Sequence, residues 1–150
     1  VWSRLSDSRY AGERVLASTR LSQWGLALQF IAERPWLGWG AAAFSVLYPL
    51  RTGTWHGHSH NLPLELAVSS GVPAALALVG LVLALLIVSL RYSRMGLFDR
   101  AWWAAVLVLV VLHGTDMPFF DSRINIAGWI LLAGLRSRIR QTETAAFSPG

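Results

Sequence analysis

Three of the chain's four histidines fall at alternate positions, His56, His58 and His60, within residues 54–66, TWHGHSHNLPLEL. Imidazole is a general base near neutral pH and a common metal ligand. In an extended segment alternate side chains share a face, so the three could converge on Zn2+ or Cu2+. The chain has no cysteine to complete such a site, and base chemistry and metal binding both stay open on these residues alone. His60 differs from the other two in its C-terminal neighbours. Asn61 is a good N-cap and Pro63 is tolerated in a first turn, so LPLELAVSS predicts a short helix over 62–70, closed by Gly71 at its C′ position. His60 then precedes a helix N-terminus. The positive end of the helix dipole disfavours the imidazolium and keeps the ring able to accept a proton, and the same end offers N–H groups to an anionic oxygen. The bland alternative is an interfacial histidine without chemistry. Glu65, one turn into the helix, reads as a dipole or polar-face residue.

These residues need elements to position them. Leu21, Trp24, Leu28 and Ile31 recur at helical spacing, with Ala17 and Ala27 on the same side and Leu26 and Phe30 widening it. This predicts an amphipathic helix over about 19–34, capped by Ser18 and stopped by Pro35. Such a helix lies on a membrane surface or caps a bundle. It carries Arg20, which is either a solvated charge or a paired donor for an oxyanion. Next in the chain, PWLGWG at residues 35–40 sets two glycines between tryptophans, the pattern of a tight turn where backbone must approach something closely.

Beyond the histidines the chain turns apolar. Hydrophobic residues make up 54% of the 150 and charged ones 14%, a balance skewed toward the membrane class. Residues 72–90 hold no charge and are apolar on every face, long enough as a helix to span a bilayer. Two shorter runs, 101–113 and 124–135, reach spanning length with their flanks, which predicts spans over about 97–113 and 118–135. Arg91, Arg94 and Arg100 lie between the first two spans, and Arg136, Arg138 and Arg140 come after the third. Two spans separate these clusters, so both fall on one side, and the positive-inside rule makes it cytoplasmic. Residues 1–71 and the HGTDMPFFDSR loop, with His113, Asp116 and Asp121, are then outside. Trp102, Trp103, Phe119, Phe120 and Trp129 fall near the expected interfaces. The net charge of +5 comes from thirteen arginines, and this topological role accounts for most of them better than nucleic-acid binding does. The fold class expected is all-α and integral to the membrane. A loop domain at 1–71 precedes a transmembrane region at 72–136 with three helices and a cytoplasmic tail at 137–150. The chain opens on Val in mid-polar sequence without a signal peptide, as expected of the C-terminal portion of a larger polytopic protein.

The segments TRLSQW…ALQFIAERPWLGWGAAAF and HSHNLPLELAVSSGVPAALALV resemble the O-antigen ligase/polymerase family of bacterial membrane glycosyltransferases, which includes lipopolysaccharide O-antigen ligases and protein O-oligosaccharyltransferases. The family pattern sets an Arg four residues before a Trp on an amphipathic helix, matched by Arg20 and Trp24. A Pro-x-x-Gly-x-Gly turn comes next, matched by Pro35, Gly38 and Gly40. Last comes a His, then Asn, Ser or Gln, and a Gly, matched by His60, Asn61 and Gly71. The resemblance covers roughly residues 15–90 and, more loosely, the remaining spans.

The resemblance implies transfer of a glycan from undecaprenyl diphosphate to an acceptor hydroxyl outside the inner membrane. The acceptor is a sugar of lipid A-core, a growing glycan or a protein hydroxyl. His60 would be the base and Arg20 the diphosphate clamp. Arg14 would stand in if the helix register shifts, and Asn61, His58 and Asp116 would contact substrate or line its path. No cofactor, metal or nucleic acid is expected, the lipid bilayer is a partner, and the isolated chain is expected to be inactive without the family's other spans. The loop would be periplasmic and the C-terminus cytoplasmic. Two other classes compete: a transport protein, such as an inorganic-carbon transport subunit, and a metal-binding module built on His56, His58 and His60.

Overall fold

The structure is a computed structural model and describes residues 20–91, 96–117 and 121–147. Among them all regular structure is helical: α1 (20–33), α2 (Ala43–Thr52), α3 (Leu62–Ser70), α4 (Val72–Leu90), α5 (Leu97–Thr115) and α6 (Ser122–Phe147). Arg14 and Ser18 lie outside the described residues. The chain divides into two compact units, 1–74 and 75–150.

The first unit is organised around an aromatic core. Phe30 of α1 meets Phe44 of α2 edge-on, with centroids 6.3 Å apart, and Phe44 leans on Tyr48 at 5.2 Å. Ala27, Ala43 and Val68 complete the buried cluster. α1 buries the face that carries Gln23, Ala27 and Phe30, whereas Leu21 and Leu28 are 69% and 57% exposed. Of the apolar side expected on α1, Ala27 and Phe30 are buried and Leu26 and Ile31 pack against the core, whereas Leu21 and Leu28 stay exposed. α1 is apolar over much of its circumference, and the large flat ring of Phe30 decides which side turns inward.

α2 has no counterpart in the sequence reading. It carries Pro49 internally and has no side-chain cap at its start, where Ala42 is left-handed (φ 56°). Burial of Phe44 and Tyr48 holds it in place, and Gly53 (φ 73°) ends it with an N–H donated to Pro49 O at 2.8 Å.

The turn at 35–40 is locked onto the end of α3, backbone to backbone. Trp39 N–H donates to Val68 O (2.8 Å), Gly40 N–H to Ser69 O (2.9 Å), and Val72 N–H to Pro35 O (2.7 Å). Gly38 (φ 67°) would set a Cβ 2.6 Å from the Ser69 and Val68 carbonyls. Gly71 (φ 87°) would drive one into the Trp36 carbonyl. Both positions need glycine for its backbone conformation and for its missing side chain.

In the second unit Leu86, Val106 and Leu135 form the buried centre, flanked by Val82, Val110, Leu131 and Leu132. Trp102 and Trp103 are half-buried between helices. The Trp102 indole N–H donates to Leu131 O and that of Trp103 to Leu86 O, each at 2.9 Å. A side chain on Gly134 would run into the Trp102 ring. These two rings thus join helix to helix. Asp99 and Arg138 pair at 3.2 Å between α5 and α6.

Two of the described helices, α4 and α5, are long and apolar enough to cross a membrane. α5 continues to Thr115, two residues beyond the expected limit, and carries His113 in its last turn with Nδ1–H donating to Leu109 O at 2.8 Å. α6 begins at Ser122 and runs through the expected tail to Phe147, because residues 135–147 contain neither Gly nor Pro to stop it.

Candidate active site

Residues 53–61 form the loop that returns the chain from α2 to α3. It is pinned to α1 at two successive positions of that helix. Gln23, buried on the inner face, brings Nε2 within 3.2 Å of His56 Nδ1, and Trp24 donates its indole N–H to Ser59 O at 2.9 Å. The His56 ring also stands edge-on to Tyr48 at 5.0 Å. His56 is thus held in the core edge of the unit by its own set of contacts. His58 and His60 lie together instead, both half-buried, with ring centroids 4.4 Å apart. The three histidines do not share one face. The loop is not an extended strand, and His60 breaks the alternation with a left-handed backbone (φ 53°).

Ser59, fully buried, is the anchor of this arrangement. Its carbonyl takes the Trp24 indole, and its own N–H donates to Glu65 Oε2 at 2.9 Å. Asn61 is extended (φ −157°, ψ 110°) and caps α3 through Oδ1, which accepts Leu64 N–H at 3.0 Å. Its carbonyl accepts Glu65 N–H at 2.9 Å. The cap has a chemical consequence: Pro63 lacks an N–H and that of Leu64 is taken. The start of α3 therefore offers a substrate far fewer donors than a bare helix N-terminus would.

Glu65 stands at the centre of this loop, where a polar-face residue was expected. It is 5% exposed, and Oε1 is buried without a hydrogen-bond partner. Burial pushes its carboxyl above the ordinary carboxylate range, and the hydrogen bonds from Ser59 and the charge of His60 offset part of that shift. The sequence does hold a signal: Glu65 is the one charge in an otherwise uncharged helix, LPLELAVSS. Gln23 gives less warning, although it falls four and seven residues before Ala27 and Phe30, on the face that goes inside.

The other expected residues lie elsewhere around the loop or in the second unit. Arg20 is exposed on the first described turn of α1, one turn before Trp24 and on the same face. Gly38, Gly40 and Gly71, with Pro35, form the turn-to-helix lock described above. Asp116 belongs to the second unit, where it ends α5 with its N–H on Leu112 O and accepts Met117 N–H through Oδ1 at 2.8 Å.

A family description, O-antigen ligase, matches residues 2–79, just over half of the chain. The chain belongs to the O-antigen ligase family. The match takes in α1, α2, α3, the whole histidine loop and the start of α4. No curated protein and no solved structure is significantly similar to the chain. Membership gives the chain a glycosyltransferase-like, membrane-associated role on lipid-linked glycans, and places the locked turn and the His60 loop inside the family's own segment.

Proposed function

We propose that the chain transfers a glycan from undecaprenyl diphosphate to an acceptor hydroxyl on the periplasmic face of the inner membrane. The observation that carries this reading is the bond from the Trp24 indole to Ser59 O. It ties the face of α1 that bears Arg20 to the residue next to His60, which supports a cation and a base acting on one substrate. His60 accepts the acceptor's proton. The acceptor oxygen forms a bond to the anomeric carbon, the bond from that carbon to the diphosphate oxygen breaks, and the lipid diphosphate leaves with the electron pair. Arg20 meets the charge that grows on the leaving group, since a guanidinium offers two parallel donors to phosphate oxygens. The crowded start of α3 leaves this task to arginine, with Arg14 the second candidate. His58, beside His60, and Asn61 line the acceptor side, and Asp116 lies on the same side of the membrane if α4 and α5 both cross. Three spans, α4, α5 and the apolar part of α6, then put Arg91, Arg100 and Arg136 on the cytoplasmic side. No step in this scheme calls for a metal.

Replacement of His60 or Arg20 by Ala in the intact membrane protein tests the reading. Each variant should stay in the membrane and lose glycan transfer by about 100-fold or more, the range expected for a general acid–base group. Full transfer by both variants would sink the assignment.

A further inference from the structure

We propose that Glu65 is a positioning residue of the transfer reaction: its buried carboxyl group holds Ser59 N–H and so fixes the backbone that presents His60 to the acceptor. This rests on the assignment of His60 as base.

The loop needs such a device. His60 is a non-glycine residue held at φ 53°, a conformation that persists only where its surroundings over-determine it. Glu65 and Trp24 grip the two peptide groups that flank Ser59, and Asn61 fixes the chain immediately after His60. Together they leave the His60 backbone little freedom.

Ser59 is fully buried, so the acceptor for its N–H must come from within the fold, and Glu65 Oε2 supplies it at 2.9 Å. Without that acceptor a buried donor is left unsatisfied and the peptide next to His60 is released. Glu65 touches neither donor nor acceptor and acts through the backbone that presents His60.

Glu65→Ala and Glu65→Gln in the intact membrane protein test this, assayed below the melting temperature of both variants. Ala removes the acceptor for Ser59 N–H, whereas Gln keeps one. The expected result for Ala is a kcat lowered about tenfold or more, as for a misplaced reacting group, with the KM for the lipid-linked donor unchanged. Gln should restore most of that loss. An Ala variant with wild-type kcat would overturn the proposal, and so would a Gln variant as slow as Ala, since the acceptor at Ser59 would then not be what matters. A KM that rises while kcat holds would also overturn it, since Glu65 would then contact substrate. His60→Ala measured alongside keeps the two ideas apart. If it is inactive while Glu65→Ala is normal, only the role of Glu65 falls; if it is active, the base assignment itself falls.

Discussion

Gly71 lies so close beneath the carbonyl of Trp36 that no side chain could stand between them. One residue later Val72 N–H closes on Pro35 O. The end of α3 and the 35–40 turn are therefore a single backbone unit, and the loop that carries His60 enters that unit through α3.

The three turn glycines should respond unequally to alanine. Gly38 and Gly71 combine a positive φ with a direct collision against backbone, whereas Gly40 (φ 103°) faces open space. A left-handed or more strained backbone costs an L-residue about 1–2 kcal/mol by itself. Gly40→Ala should lose roughly that amount, and Gly38→Ala and Gly71→Ala clearly more, because backbone atoms must move apart. Thermal unfolding of the three variants in detergent gives the order directly, and equal losses would contradict the collision argument.

Trp24→Phe retains an aromatic ring on α1 and removes the donor to Ser59 O. Loss of one such bond costs about 1 kcal/mol of stability. Its effect on transfer should exceed that, since the bond is the link between α1 and the residue preceding His60. A variant that unfolds slightly earlier yet transfers at the wild-type rate would show that the loop holds its shape without this bond, with Gln23 and His56 its remaining tie to α1.

The features legible in the sequence are those encoded by neighbouring residues. The Asn61 cap and the α3 and α4 limits, 62–70 and 72–90, arise from a capping side chain, a glycine with positive φ and an unbroken apolar run. What stays hidden depends on residues far apart in the chain. α2 exists because Phe44 and Tyr48 find Phe30 and His56, although its own cap and Pro49 argue against a helix. A reading by hydrophobicity finds Ala27 and Phe30 but centres the face of α1 on Leu21 and Leu28, because these are more apolar than Gln23, whose amide is buried where it meets His56, 33 residues away. The three histidines look alike by spacing, but contacts with Gln23 and Tyr48 set His56 apart, and the left-handed backbone at His60 breaks the alternation. The importance of Glu65 depends on Ser59, six residues earlier across a turn, which helical periodicity does not reveal.

The raised Glu65 carboxyl makes stability depend on pH. Its folded-state pKa lies above the ordinary value of 4.5, so between those two values the folded chain binds more protons than the unfolded one. Stability must then fall as pH rises through that window. The contribution is full below 4.5 and is lost once pH passes the folded pKa; its neighbours here are Ser59 and the titratable His60. Glu65→Gln removes this effect, so the difference in melting temperature between variant and wild type should shift in favour of the variant as pH is raised from 4 toward neutrality. A difference that stays constant with pH would mean that the carboxyl is not shifted by burial.

The exposed tip of the locked turn bears on how the first unit meets the membrane. Trp36 and Leu37 are 76% and 87% exposed, a costly display for two large apolar side chains in water. Yet the turn is bonded through Pro35 to Val72, the first residue of α4, which is apolar enough to cross a bilayer. Where α4 crosses the bilayer, a turn fixed to its first residue is expected at the membrane boundary, in the headgroup zone that favours a Trp ring. The chain contains no cysteine, so Leu37→Cys accepts a single nitroxide label without further changes. In liposomes the label should be mobile and relaxed more by dissolved oxygen than by a water-soluble nickel complex. An immobile label shielded from both would place this tip against protein, and one relaxed mainly by nickel would place it in water; either result removes the turn from the lipid boundary.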